Sequence, residues 1–110
     1  DLSQNKKLTK LYLEFIPLTS LDLSQNKKLT DLYLGSFQIT TLDLSKNSDL
    51  VSLTLSDQNY LTSLNLNNNN NRAILTLYVN ADILTCFQVD DAAWSTANWS
   101  SEFIYSEDCY

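Results

Sequence analysis

The apolar positions of this chain are mostly leucine, and they fall in Leu-x-Leu triplets about every 10 to 12 residues. One series runs Leu11-Tyr-Leu13, Leu32-Tyr-Leu34, Leu53-Thr-Leu55 and Leu75-Thr-Leu77. A second is interleaved with it: Leu21-Asp-Leu23, Leu42-Asp-Leu44 and Leu64-Asn-Leu66. Three residues before most triplets stands another apolar residue: Leu8, Leu18, Leu29, Ile39, Leu50 or Leu61. Arg72, ahead of Leu75, breaks that rule. A Leu-x-Leu triplet alternates inward and outward, as a short strand does. The leucine at minus three enters the core from the adjoining turn. The spacing does not fit the period of an amphipathic helix, so almost no helix is expected before residue 90.

The polar residues repeat with the leucines. Asp1-Leu-Ser-Gln-Asn-Lys-Lys7 recurs unchanged as Asp22 to Lys28, Asp43 to Asn47 is a third copy, and Leu64 to Asn69 a degraded fourth. The period is 21, then 22 residues. One such unit cannot bury its own leucines, whereas stacked units can. The predicted organisation is therefore a mostly-β repeat solenoid over residues 1–89 and a different segment, 90–110, that covers its end. Asp90 or Asp91 can cap a short helix through Ala92, Ala93, Trp94 and Ala97, and Trp94 and Trp99 bring large apolar surfaces to it.

These residues resemble the leucine-rich-repeat family, most closely its bacterial subclass with nested 21-residue units, typical of Bacteroidetes-type bacteria. The motif here is L-T-x-L-D-L-S-x-N-x-x-L-T-x-L-Y-L, and it covers Asp1 to about Val89. The resemblance implies a flattened right-handed solenoid with short parallel strands on both faces. It also implies a secreted or cell-surface location. The stretch from Leu84 to Trp99, with Ser106-Glu-Asp-Cys109, resembles the family's C-terminal cap. The two cysteines alone allow one bridge or two free thiols; the resemblance implies a Cys86–Cys109 disulfide pinning the cap. The resemblance further implies a structural ladder of Asn5, Asn26, Asn47, Asn69 and Asn80, whose amides satisfy backbone groups of neighbouring coils. Ile16, Phe37 and Gln58 hold that place in the alternate half-repeats, where an apolar contact is expected instead.

Two outward columns carry candidate chemistry. Asp1, Asp22, Asp43, Asn65 and Gln88 form one. It could be a calcium ladder, but calcium takes six to eight oxygens, so a solvated face is the simpler expectation and no metal site is assigned. Tyr12, Tyr33, Thr54 and Thr76 form the other, flanked by Lys10, Asp31, Ser52 and Ile74 on one side and by Glu14, Gly35, Ser56 and Tyr78 on the other. In the family such residues make the ligand surface, and stacked tyrosines suit an interface; a purely structural aromatic ladder is the alternative. The five asparagines from Asn67 to Asn71 read as a longer turn.

Composition narrows the function. There is no histidine and one glycine, Gly35. Histidine triads, histidine–metal centres and glycine-rich phosphate loops are thereby excluded. The net charge of −6 argues against nucleic acid, and no apolar run is long enough to span a bilayer. The expectation is a non-catalytic scaffold without a cofactor that binds a protein or glycan partner. The alternative is a spacer or self-assembling unit that forms a homodimer through an uncapped N-terminal coil.

Overall fold

The computed structural model describes residues 2–100 and 102–109. Asp1, the first member of the acidic column, lies outside them. Among the described residues the chain is mostly β, with eight strands in two open sheets. The first sheet holds β1 (Lys10–Glu14), β2 (Asp31–Gly35), β4 (Ser52–Ser56) and β6 (Thr76–Val79), in that order. The second holds β3 (Thr41–Asp43), β5 (Ser63–Asn65), β7 (Cys86–Gln88) and β8 (Tyr105–Ser106). Every pairing is parallel. The chain thus passes from one sheet to the other and back, leaving one strand in each. Leu21-Asp-Leu23, expected as a strand, forms none.

The leucines dictate this arrangement. Leu32, Leu34, Leu53 and Leu55 of the first sheet share one buried cluster with Leu42, Leu64 and Phe87 of the second. Leu29, Ile39, Leu50 and Leu61, the minus-three residues, are fully buried with them. Burying each such side chain contributes about 1.5–3 kcal/mol. Threonines at the strand entries add cross-pass hydrogen bonds: Thr30 donates to the Thr9 carbonyl, Thr62 to Thr40 and Thr85 to Thr62.

The fourth pass departs from the sequence expectation. β6 pairs Leu77 with Leu53 and Val79 with Leu55, so its inward pair is Leu77 and Val79 rather than Leu75 and Leu77. Leu75 is 82% exposed, and Ile74 is buried in the place three before Leu77. With that register the minus-three rule holds and Arg72 is no exception. The partner separation grows from 21 residues (Leu32 to Leu53) to 24 (Leu53 to Leu77). One additional residue lies between β4 and β5, and the other two sit in the asparagine run and the 3-10 turn at Asn71–Ala73. A one-residue slip would turn every side chain over. A two-residue slip keeps inward positions inward, so alternation alone does not discriminate between the registers.

The asparagine ladder is real over two rungs and shifted at the third. The Asn26 amide donates to the carbonyls of Leu2 and Asn5, and Asn47 to those of Leu23 and Asn26. The next rung is Asn68, which donates to the Asn47 carbonyl. Asn69, expected there, is exposed in the left-handed region at φ 65°. Asn5 is exposed and serves the ladder through its carbonyl. Asn80 lies outside the ladder, with its amide 3.5 Å from the Asp57 carboxylate. Gln58, expected to make an apolar contact, is buried and donates to the carbonyls of Leu34 and Ser56.

The acidic column has a local role as well as an exposed position. The carboxylates of Asp22 and Asp43 accept from the backbone N–H of Ser24 and Ser45, and the Asn65 side chain accepts from Asn67. Each closes a turn just after its own position, as short polar side chains do. Ser24, through its side chain and its backbone N–H, holds the Asp22 carboxyl below its usual range.

The terminal segment holds the expected short helix and disulfide. Helix α1 (Ala92–Asn98) is capped by Asp91, whose carboxylate accepts from the Trp94 N–H. Asp90 acts differently. It accepts from the backbone N–H groups of Asn69 and Asn71, fastening the asparagine loop. Phe87 replaces leucine in the last pass and meets Trp99, Phe103 and Tyr105. A Cys86–Cys109 disulfide ties the end of the segment to β7. Such a bridge indicates an oxidising compartment. Among the described residues, no helix is long and apolar enough to cross a membrane.

Candidate functional site

The outward side chains of the first sheet form the best-organised polar and aromatic surface. Parallel register places Tyr12 beside Tyr33, Tyr33 beside Thr54, and Thr54 beside Tyr78. Thr76 is therefore not in the tyrosine column; it pairs with Ser52 and belongs to the row of Lys10 and Asp31. Tyr78, expected to flank the column in the row of Glu14, stands in it instead. The signal was present, since Leu77-Tyr78-Val79 also alternates and Ile74 stands three before it.

Tyr12 and Tyr33 are stacked, with ring centroids 4.2 Å apart and planes 5° from parallel. Strand spacing sets that distance: in-register neighbours on parallel strands lie about 4.8 Å apart. The rings contribute further attraction, roughly 0.5–1.5 kcal/mol beyond their burial. Glu14 pins both hydroxyls. Tyr12 donates to one carboxylate oxygen at 2.8 Å and Tyr33 to the other at 3.3 Å. Bonding to that carboxylate, with burial and its negative charge behind it, pushes the Tyr12 phenol up to about 12. The Tyr12 ring therefore stands as a neutral phenol at physiological pH.

Gly35 makes room for this arrangement. It lies opposite Glu14 in the register. A Cβ at this position would come 3.1 Å from Glu14 Cγ and 3.2 Å from Tyr33 Cε1. The one glycine of the chain thus allows the glutamate to lie across the sheet and reach two tyrosines. A shallow depression of about 370 Å³ runs beside the pair, edged by Lys10, Asp31, Ser52 and Thr54. Tyr12 is 64% exposed. The surface offers flat aromatic area, one cation and two carboxylates at fixed spacing, which suits recognition by stacking and hydrogen bonding.

The structure also brings together aromatic residues that the sequence did not associate. Tyr78 of β6 faces Trp94 and Trp99 of the terminal segment across a cleft of about 540 Å³. Trp94 meets Trp99 edge to face and carries the Arg72 guanidinium 5.4 Å from its ring centre. Tyr78 and the two tryptophans lie apart along the chain, so the repeat by itself does not bring them together. On the opposite sheet, Asp43, Asn65 and Gln88 do align as expected. Among the described residues, no three potential metal ligands come together.

Against known proteins, no family model matches this chain, and neither a curated protein nor a solved structure does.

Proposed function

We propose that the chain is an extracellular leucine-rich-repeat solenoid of bacterial type, acting as a non-catalytic recognition module for a protein or glycan partner. The nested repeat and the two parallel sheets built from it support the architectural part. The disulfide, with its preference for oxidising surroundings, supports secretion or surface display. The single observation that carries the functional part is the exposed Tyr12–Tyr33 stack held by Glu14. Two rigid amphipathic rings lose little entropy on binding and bury large area. Lys10, Asp31 and Thr54 beside them supply hydrogen bonds and orientation, and Thr76 adds a hydroxyl at the far end of the Lys10 row.

The test is binding of the intact chain to arrays of glycans and of purified extracellular proteins, repeated with the Tyr12→Ala/Tyr33→Ala double variant. Binding should fall by at least about tenfold, since each interface tyrosine of this kind contributes on the order of 1–2 kcal/mol. Circular dichroism should show the fold retained. Equal binding by the double variant overturns the assignment to this face.

A second reading makes the partner another copy of the chain. Leu11 and Leu13 of β1 are only partly buried, and β1 has one sheet neighbour among the described residues. Light scattering over a wide concentration range decides it: a dimer lost on Leu13→Lys, with the fold intact, supports self-assembly.

A further inference from the structure

The two sheets end differently beside the terminal segment. In the second sheet, that segment supplies β8, which adds in parallel to β7. In the first sheet, β6 has one neighbour, β4, among the described residues, and the cleft of about 540 Å³ opens against it.

The main-chain directions of β6 are fixed by its pairing. Thr76 N–H donates to the Val51 carbonyl and Asn80 N–H to the Leu55 carbonyl. Along a strand these groups alternate from side to side. The N–H and C=O of Thr76, Tyr78 and Asn80 therefore face β4, and those of Leu77 and Val79 face away from it. Both residues line the cleft. A strand edge with its hydrogen-bonding groups directed outward is a template for a further strand.

We propose that this cleft binds an extended peptide, which adds to the first sheet as a further strand alongside β6. Main-chain bonds to Leu77 and Val79 would supply affinity, and hollows for alternate side chains would supply selectivity. β8 is the internal precedent: the terminal segment already adds a strand at the corresponding edge of the other sheet. The far wall is apolar, with Trp94 and Trp99, and the exposed Leu75 and Tyr78 stand on the near side. Charge sets the ends. Arg72 lies where β6 begins and is held by Asp91 at 3.8 Å. Glu102 and Asp82 gather where β6 finishes, beside Val79 and Asn80. The ligand is thus a peptide with apolar residues at alternate positions and a basic residue at the Glu102 end. A sugar is the poorer fit, because Arg72 already covers the Trp94 ring. The site contains neither Tyr12 nor Tyr33, so it stands or falls apart from the tyrosine face.

The test uses the full chain and an array of octapeptides with alternating apolar residues and Lys or Glu at either end. The strongest binder is then labelled and titrated by fluorescence anisotropy. Binding should favour peptides ending in Lys. N-methylation of the peptide nitrogens that face β6 should weaken binding by roughly tenfold or more, the scale of one or two main-chain hydrogen bonds. Methylation of the intervening nitrogens should change it by no more than about twofold. Hydrogen exchange at Leu77 and Val79 should slow by about tenfold when the peptide is added. The modified groups lie on the peptide, so protein folding does not enter. Three results overturn the proposal: no peptide bound at about millimolar concentration, equal weakening by both methylation patterns, or unchanged exchange at Leu77 and Val79 with peptide bound. Protection of these two amides in the free protein that disappears on dilution also overturns it, because the edge would then be pairing with a second copy.

Discussion

Glu14 shows how much one side chain settles at the scale of single residues. Its two oxygens each receive a tyrosine hydroxyl, so it orders both rings and alters the chemistry of one. The Tyr12 phenol stands at about 12 rather than its ordinary 10.0, with the bond to Glu14 the largest cause. A raised phenol favours the neutral form in the folded chain. The stability it confers is complete below pH 10 and is lost as pH rises from 10 through about 12. Replacing Glu14 by Gln removes the charge and should bring the Tyr12 titration back toward 10. Carbon-13 NMR of labelled tyrosine followed against pH reads this directly. An unchanged Tyr12 titration in the variant would mean that Glu14 is not the cause.

At the scale of elements, the turn between β5 and β6 carries the departure from periodicity. The Asn68 amide donates to the Asn47 backbone carbonyl, while its side-chain Oδ1 accepts from the Asn70 backbone N–H and the Asn71 side-chain amide. Its neighbour Asn69 is exposed. Asn68→Ala should therefore cost about 2–3 kcal/mol, because buried partners lose their bonds. Asn69→Ala should cost markedly less, chiefly through its left-handed backbone. Urea denaturation of the two variants checks the order. The reverse order would restore the rung at Asn69 that the bare repeat predicts. The spacing of triplets made the strands legible, because alternation is a local property of each one. The repeat could not place Asn68, since the rung is chosen by the loop closing onto Asp90, which lies 22 residues beyond it.

For the whole molecule, the terminal segment sets how the stack ends. It buries Phe87 beneath Trp99, Phe103 and Tyr105, and the disulfide spans 23 residues of chain. Removing the bridge with Cys86→Ala/Cys109→Ala should lower stability by about 3 kcal/mol, mainly by freeing the unfolded chain. Guanidinium denaturation of the oxidised protein and the variant measures it. If the loss is far smaller, the aromatic cluster is enough to fasten the segment. This anchoring also bears on the cleft, whose far wall belongs to the same segment. A loosened segment should weaken peptide binding beside β6 while leaving the Tyr12–Tyr33 surface unaffected.

By itself the sequence determined most of the strands, the inward leucines, the minus-three contacts and the tyrosine pair. Each follows from spacing within a few residues or from exact repetition at 21. It also marked residues 90–110 as a different segment with a short helix. Only the tertiary structure decided the register of the fourth pass, because a two-residue slip leaves inward positions inward and only packing of Ile74 and Val79 separates the alternatives. It alone moved Thr76 out of the tyrosine column and brought Tyr78 in. It alone assembled the cleft beside β6, which brings Leu77 and Val79 together with Phe87, Trp94, Trp99 and Phe103. Local periodicity carries no information about surfaces that distant segments build by folding against each other.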